Sequence, residues 1–296
     1  MKRFRIGRSY HNYIHPREPR YVSLNATHQK QSFSGIIKVI TYNIKLSRKT
    51  HKALKLLTEH NELNNADIIC LQEMDPHGVD LIARKLNYNF VYYPAILHPR
   101  NDKDFGNAVL SKWPILNDEK IILPKLGGGK LQRIAVSATL SINNIKVMVF
   151  SVHMKVFVRH FQRRIPIDRI IGAIEPSVEH CIIAGDFNTF SRSNRRAILK
   201  PFNEANFQFA TNNIGWTYKH WYLLNKKSTL DYIFARAKSS AALPFAMTRR
   251  ASSGLVGMVA TSMSRWPRCM SMASIAVSRL RPKKCADSDD SMTTTP

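Results

Sequence analysis

The spacing of apolar residues in the first half of the chain follows two different periods. Residues 36–42 read IIKVITY, a β-branched and aromatic run that predicts a buried strand ending at Asn43. A second short apolar run covers residues 66–71 and predicts another strand. A helical pattern follows each strand, first at residues 51–60 and then at Val79, Ile82 and Leu86, which recur at spacings of three and four. The predicted order is strand, helix, strand, helix.

The middle of the chain alternates apolar and small polar residues. Residues 134–142 carry aliphatic or alanine side chains at every second position, which predicts a strand. Asn143 and Asn144 tolerate left-handed backbone angles, so they predict a hairpin to an extended run at residues 145–152. A helix near Pro166 and a strand at residues 180–184 follow. Helices mixed with hairpin strands in this order predict an α+β fold, with sheets packed face to face and helices outside.

Three regions of the chain differ in composition. Residues 1–34 are rich in Arg, Lys, His and Tyr without a sustained period, which predicts a flexible basic N-terminal arm. Residues 35–237 carry the organised pattern and are expected to form one domain. Residues 238–296 are crowded with Ser, Ala, Met and Arg and show neither period. This C-terminal tail is therefore expected not to continue the domain, and to be aberrant in sequence or disordered.

Charge narrows the class of partner. The formal net charge is +25, so the surface attracts polyanions such as nucleic acid, phosphorylated small molecules or anionic lipid headgroups. Alternatively, much of this charge lies in the two ends and is unrelated to the folded part. The four cysteines are too few and too scattered for a disulfide scaffold. With no signal-peptide pattern and no bilayer-spanning run, the expectation is a cytoplasmic protein without a transmembrane segment.

Polar residues stand at the ends of several predicted strands, where a packed scaffold can hold side chains rigidly beside a cleft. Each has an ordinary structural explanation when it is taken alone. Asn43 could cap a helix, and Glu73 could be a surface carboxylate. His153 could be a satisfied sheet histidine, and Asp186 could form a turn with Gly185. Asn107 could sit in a tight loop beside Gly106, and Arg133 could be a charge exposed to solvent. Asp231 could form an ion pair with a nearby arginine.

The order of these motifs is the stronger signal. An Asn after the first strand is followed by LQE at 71–73, GNAVLS at 106–111, SVH at 151–153, GDFNT at 185–189 and LDYIF at 230–234. This order resembles the endonuclease/exonuclease/phosphatase superfamily, which includes nucleases, sphingomyelinases and inositol polyphosphate phosphatases. The resemblance covers roughly residues 35–237. It implies a metal-dependent phosphoesterase with a four-layer α/β/β/α sandwich of two mostly antiparallel sheets.

The resemblance also implies roles for individual residues. Glu73 and Asn43 match metal-binding positions, and such hard oxygen ligands suit Mg²⁺ or Mn²⁺. Asp186 matches the residue that orients or deprotonates the attacking water. Asn188 and His153 match residues that contact the phosphate. Asn107 and Arg133 match positions that line the substrate cleft, and Asp231 matches a catalytic aspartate. The implied substrate is an anionic phosphoester, with nucleic acid mildly favoured by the net charge.

The last part of the family pattern is missing. In the family, the aspartate that matches Asp231 orients a histidine supplied by a later Ser-Asp-His sequence, but no histidine follows His220 in this chain. Three explanations remain open: a change of reading frame soon after Phe234, a divergent member that uses another base such as His220, or a degenerate protein that binds phosphates without cleaving them. The corresponding alternative function is a non-catalytic nucleic-acid or phospholipid-binding protein. Because family members close the second sheet with strands after this motif, an open sheet edge is expected.

A change of reading frame can be tested directly on the coding DNA. If the frame shifts soon after Phe234, a different frame of the same DNA should encode a Ser-Asp-His sequence downstream of that codon. Translating the DNA in all three frames checks this. The absence of such a sequence from every frame would remove the explanation and leave divergence or degeneration.

Overall fold

A computed structural model of the chain describes residues 11–24, 26, 36–98, 102–212, 215–220, 226–237 and 274–280. Its strands are β1 (His11–Asn12), β2 (Tyr21–Ser23), β3 (Ile37–Asn43), β4 (Ile68–Met74), β5 (Asn89–His98), β6 (Lys103–Ser111), β7 (Ile115–Ile122), β8 (Ile134–Ile142), β9 (Ile145–His153), β10 (His180–Asp186), β11 (Gln208–Phe209), β12 (Tyr218–His220), β13 (Lys226–Ser228), β14 (Asp231–Ala237) and β15 (Ser274–Leu280). Its helices are α1 (Thr50–Glu59), α2 (Pro76–Leu86), α3 (Arg164–Ile171) and α4 (Arg192–Glu204), with one 3-10 turn (His160–Arg163) before α3.

Alternating side chains build the layers of the fold. On β4, Ile68 and Cys70 point into a core between the two sheets, whereas Ile69 and Leu71 pack under α1 and α2. On β10, Ile182 enters the same central core while its neighbours pack under α3 and α4. A strand covered on both faces is apolar at consecutive positions, which explains the unbroken apolar runs in the sequence. The predicted four-layer α/β/β/α sandwich is confirmed.

The two large sheets are mixed and mostly antiparallel. The first sheet has seven strands in the order β1-β5-β6-β4-β3-β15, with β2 also paired to β5. The second sheet has six strands in the order β11-β14-β10-β9-β8-β7, and β12 and β13 form a separate two-stranded sheet. Among the strands of the described ranges, only the pairs β3–β4 and β9–β10 are parallel. Because parallel strands end at the same edge, each sheet places two carboxyl ends side by side.

Helix α2 shows how local sequence fixes an element next to this edge. The Asp75 carboxylate accepts a hydrogen bond from the backbone N–H of Gly78 at 2.7 Å, and Pro76 occupies the first turn. Asn87 ends the helix in a left-handed conformation. Val79 and Ile82, which carried the predicted periodicity, are buried against the first sheet. Helix α4 was not predicted, because its sequence is mostly polar.

The described part of the N-terminal arm lies along the edge of the first sheet. Strands β1 and β2 both pair antiparallel with β5. The Arg20 guanidinium makes a bidentate ion pair with Asp118 on β7. Nε is 2.8 Å from Oδ1, and Nη2 is 2.7 Å from Oδ2. Lys120 is 1% exposed and its ammonium donates to the backbone carbonyls of Tyr13 and Glu18. The described residues of the arm therefore connect the first sheet to the second, and the flexibility of residues 1–34 as a whole stays a prediction.

One described strand comes from the C-terminal tail. Strand β15 pairs antiparallel with β3, and Ser274 lies opposite Asn43. This strand extends the first sheet, whereas the open edge was expected in the second sheet. The second sheet ends at β11, a strand of two residues beside β14. None of the helices in the described ranges has the length and apolar character needed to cross a lipid bilayer.

Lys120 gives the stability of the chain a pH dependence that can be measured. Burial lowers the pKa of its ammonium to about 8, against 10.5 for an ordinary lysine. Between these pH values the unfolded chain keeps a proton that the folded chain has released, so rising pH should favour folding. Lys120→Met removes the titrating ammonium. The unfolding free energy of this variant should therefore increase less between about pH 7 and about pH 9 than that of the wild type.

Urea unfolding at the two pH values measures the difference. The control is Lys55→Met, because Lys55 is exposed on α1. This variant should keep the pH response of the wild type. Equal responses of Lys120→Met and the wild type would show that Lys120 is not desolvated beneath the arm.

Candidate active site

Four predicted site residues meet where the parallel strands end. Asn43 is the last residue of β3, and Glu73 lies near the end of β4 in the first sheet. His153 ends β9 and Asp186 ends β10 in the second sheet, where the two residues are in register. Asp231 starts β14 opposite Asp186. Residues far apart in sequence are thus brought to one edge by strand pairing alone.

The side-chain amide of Asn43 connects the two sheets. Its Nδ2 donates to Glu73 Oε1 at 3.1 Å and to Asp186 Oδ2 at 3.0 Å. Its Oδ1 accepts the backbone N–H of Lys45 at 3.0 Å, which fixes the orientation of the amide. Two carboxylates from different sheets therefore share one hydrogen-bond donor.

His153 lies between the same two carboxylates. Its Nε2 is 3.8 Å from Glu73 Oε1 and 4.0 Å from Asp186 Oδ2. Burial lowers the pKa of the imidazole well below its usual range, and the Arg133 charge lowers it further. The ring packs against Phe105 with 5.8 Å between the ring centroids. The surroundings therefore favour a neutral imidazole, which can still donate one hydrogen bond.

Burial also controls the ionisation of the carboxylates. It raises the pKa of Asp186, the Glu73 charge adds to this rise, and the Asn43 amide opposes it. Burial raises the pKa of Glu73 as well, against the Asn43 amide and the Arg133 charge. Two carboxylates in this position are stabilised by a proton or by a cation between them.

The backbone is strained around the carboxylates. Glu73 has φ of 58° at a bulge in the pairing of β4 with β6, which turns its side chain toward the cleft. Asn188 has φ of 52°, and the residues that follow β3, 45–47, all have positive φ between 45° and 58°. Left-handed backbone costs a non-glycine residue about 1 kcal/mol or more. Such strain is typical of functional sites.

Arg133 brings positive charge to the cleft. Its Nε and Nη1 are buried and have no hydrogen-bond partner among the described residues. Its guanidinium lies 5.3 Å from the centroid of the Phe105 ring, a cation–π arrangement. The charges of Glu73 and Asp186 oppose the lowering of its pKa by burial. Two donor nitrogens that face no acceptor within the described ranges are suited to an anionic ligand.

A buried polar network supports the site from behind. Gln72 Nε2 donates to Ser151 Oγ at 3.1 Å, and Ser151 Oγ donates to the Leu71 carbonyl at 3.0 Å. Asn107 Nδ2 donates to the carbonyls of Ile134 and Ser151 at 3.0 and 3.3 Å. Asn107 was predicted to line the substrate cleft, but these contacts connect the two sheets.

The other two predicted residues also have structural contacts. Asn188 donates from Nδ2 to the Met154 carbonyl at 2.8 Å, and its backbone N–H donates to Asp186 Oδ1 at 2.9 Å. Asp231 is fully buried, and the Thr217 hydroxyl accepts its backbone N–H at 3.3 Å. Asn188 thus orients Asp186 directly, while Asp231 lies beside Asp186 on the neighbouring strand.

The chemistry of these side chains fits a magnesium-type cation. Glu73, Asp186 and the Asn43 oxygen are hard oxygen donors, and the two carboxylates are held in positions where an unbalanced negative charge is costly. No group of three or more His, Cys, Asp or Glu in the described part of the chain is arranged to hold a metal. Mg²⁺ usually takes one or two carboxylates and completes its shell with water and substrate phosphate, and Glu73 and Asp186 are two such carboxylates.

A sequence profile described as the Endonuclease/Exonuclease/phosphatase family matches residues 40–252. The chain belongs to this family. The match covers all the predicted site residues and confirms the resemblance seen in the motif order. Endonuclease/exonuclease/phosphatase proteins are phosphoester hydrolases that typically use a divalent metal. A comparison with curated protein sequences gives no significant match.

Solved structures of endonuclease/exonuclease/phosphatase proteins share the fold. A protein of this family from Beutenbergia cavernae DSM 12333 aligns with a TM-score of 0.57 at 17% identity, over 83% of this chain and 71% of that one. D. rerio TDP2, complexed with single strand DNA product, aligns at 0.54 and 16% identity, over 70% and 86%. Mannosyl-6-phosphatase Bt3783 from Bacteroides thetaiotaomicron VPI-5482 aligns at 0.52 and 15% identity, over 68% and 85%. At these identities the likeness shows the fold alone.

Sequence reasoning missed several parts of this endonuclease/exonuclease/phosphatase site. Gln72 and Ser151 stood inside recognised motifs, but no role was assigned to them. The left-handed turn at residues 45–47 contains no glycine, so no sequence pattern indicated it. Arg163 is buried beneath the loop that follows Asp186, and nothing in a stretch with several arginines distinguished it. A side-chain amide inside a recognised motif, such as that of Gln72, is the one sequence signal that could have indicated a buried polar network.

Replacing the shared donor by an acceptor should destabilise the site. Asn43→Asp puts a third carboxylate between Glu73 and Asp186, so we expect the unfolding free energy to fall by about 2 kcal/mol or more in EDTA. Magnesium should restore more stability to this variant than to the wild type, because binding to the folded state alone stabilises it. Urea unfolding with EDTA and with magnesium measures both effects.

The matched control is Asn203→Asp on the exposed side of α4, which should change stability by less than about 0.5 kcal/mol. If Asn43→Asp behaved like this control, the shared amide would not hold the two carboxylates together.

Proposed function

We propose that this chain is a divalent-metal-dependent phosphodiesterase whose centre lies between Asn43, Glu73, His153 and Asp186. The observation that supports this most strongly is the single Asn43 amide hydrogen-bonded to carboxylates of both sheets. Glu73 and Asn43 would hold Mg²⁺ or Mn²⁺, as their positions in the family motifs imply. When bound, the cation would supply positive charge that stabilises the phosphate oxygens in the transition state.

Asp186 is the proposed proton acceptor for the attacking water. Its Oδ1 accepts the backbone N–H of Asn188, while its Oδ2 accepts the Asn43 amide and lies 4.0 Å from His153 Nε2. Burial raises its pKa, which brings the carboxylate closer to the basicity that a general base needs near neutral pH. Deprotonating and orienting the water are the two functions that this carboxylate can perform from a fixed position.

His153 and Arg133 are the proposed phosphate contacts. A neutral His153 with hydrogen on Nε2 can donate to a phosphate oxygen while it lies near both carboxylates. Arg133 adds a charge and two donors that face no acceptor among the described residues. Asn188 lies beside these groups, and its Nδ2 donates to the Met154 carbonyl.

The missing histidine favours a second candidate, a non-catalytic protein that binds phosphoesters. No histidine follows His220, so the carboxylate–imidazole pair that the family pattern implies for Asp231 cannot form with a later residue. Proton transfer by a positioned side chain is worth about 100- to 10,000-fold in rate. Turnover by this chain would accordingly be slow, and a complete loss of it would leave binding as the function.

The proposed substrate is a nucleic-acid phosphodiester. The net charge of +25 supports a polyanion, because lysine and arginine side chains release counterions from a nucleic-acid backbone. One structural neighbour is TDP2 complexed with single strand DNA product, and another is a mannosyl-6-phosphatase. A panel of abasic DNA, plain duplex, sphingomyelin and inositol phosphates distinguishes these substrate classes.

Magnesium-dependent hydrolysis of bis(p-nitrophenyl) phosphate tests the enzymatic proposal. The wild type should release nitrophenolate with magnesium and stop when EDTA is added. Asp186→Ala should lower kcat by at least about 100-fold, because the proton acceptor is lost. Asp168→Ala is the matched control, since Asp168 is an exposed aspartate of α3, and this variant should keep wild-type activity.

Two outcomes would contradict the proposal. Turnover that persists in EDTA, or that survives in Asp186→Ala, would place the chemistry elsewhere. Absence of turnover together with binding of oligonucleotides that does not depend on magnesium would favour the non-catalytic candidate.

A further inference from the structure

Arg163 is the largest side chain among the fully buried residues of the described structure. It ends the 3-10 turn before α3 and is 1% exposed. Burying a guanidinium is costly unless polar protein groups replace its water. No carboxylate among the described residues makes a hydrogen bond to it. Backbone carbonyls instead accept the hydrogen bonds that water would otherwise accept from the guanidinium. A buried charge held in this way requires an explanation beyond packing.

The carbonyls belong to the loop that carries two predicted site residues. Arg163 Nη1 donates to the Phe187 carbonyl at 3.0 Å, and Nη2 donates to the Asn188 carbonyl at 3.0 Å. These residues directly follow Asp186, where β10 ends. Asn188 itself adopts a left-handed conformation with φ of 52°. Without the guanidinium, two buried carbonyls would lose their donor.

The same guanidinium also contacts the loop that follows His153. Nη2 donates to the Val156 carbonyl at 2.8 Å. This second loop is tied to the first by the Met154 backbone N–H, which donates to the Asp186 carbonyl at 2.9 Å. Asn188 Nδ2 completes the connection through the Met154 carbonyl. Arg163 therefore fixes the spacing of the loops behind His153 and Asp186.

We propose that Arg163 is a positioning residue of the active site, whose planar fork holds Asp186 and Asn188 in place through the loop carbonyls. The inference rests on the proposed function, because Asp186 is assigned there as the proton acceptor for the attacking water. Arg163 has no contact with the cleft carboxylates through a hydrogen bond, so its effect is exerted through the backbone. A lysine keeps the charge but cannot make three directed hydrogen bonds from one plane.

Amide hydrogen exchange on the variant Arg163→Lys tests the positioning without any need for activity. Exchange in the segment 184–190 should be at least about tenfold faster than in the wild type, because charged hydrogen bonds to its carbonyls are lost. Exchange in β4 should stay unchanged, since β4 belongs to the other sheet. Arg164→Lys is the matched control, because Arg164 is the next residue and pairs on the surface with Asp168 and Glu204.

Activity measurements separate this inference from the proposed function. If the wild type hydrolyses bis(p-nitrophenyl) phosphate with magnesium, Arg163→Lys should lower kcat by about 10- to 100-fold with little change in KM, as expected for misplaced catalytic groups. Added guanidinium ion should restore part of the kcat of Arg163→Ala and have no such effect on Arg164→Ala. An inactive wild type would reject the proposed function, while hydrogen exchange would still decide the role of Arg163.

Unchanged exchange in segment 184–190 of Arg163→Lys, or an equal increase across the whole chain, would overturn the inference. If the variant does not fold, nitrogen-15 spectra of the wild type supply the test. A guanidinium fixed by three carbonyls should show slowly exchanging, separately resolved Nη hydrogens at Arg163, unlike Arg164. An averaged, rapidly rotating guanidinium at Arg163 would reject the role.

Discussion

The site depends on keeping two carboxylates from different sheets close to one another, the buried Asp186 and the partly buried Glu73. Asp186 and Glu73 repel each other, and burial raises the pKa of both. The Asn43 amide offsets part of this repulsion by donating a hydrogen bond to each carboxylate. The remaining repulsion is opposed by the packing that fixes strands β4 and β10, which carry Glu73 and Asp186. A divalent cation would relieve the same repulsion. The architecture of the candidate centre thus follows from electrostatics as much as from the family motifs.

Much of the fold was predictable because strands covered on both faces and amphipathic helices leave strong periodic signals. The strand at Ile37–Asn43 and the helix of Val79 and Ile82 appear close to their predicted positions. Helix α4 was missed because only a narrow face of it is apolar. The pairing of β1 and β2 with β5 was not predicted, because it depends on contacts of Arg20 and Lys120 that leave no local pattern in the sequence.

The site was predictable only where chemistry coincides with a motif. Asn43, Glu73, His153 and Asp186 stand at strand ends, so both their position and their order pointed to a common centre. The motif order could not show which polar residues face the ligand and which hold the sheets together. Asn107 was therefore assigned to the cleft, although its amide bonds to backbone across the sheets. Such distinctions depend on side-chain direction, which strand order does not determine.

The pairing of β15 with β3 has a consequence for how the molecule tolerates shortening. Strand β3 carries Asn43 and has β4 on one side and β15 on the other. Removing the chain from Ser274 onward would leave the backbone N–H and C=O groups on one side of β3 without hydrogen-bond partners. An unprotected strand of this kind recruits a strand from another molecule. Truncated forms should accordingly self-associate through the very strand that supports the centre.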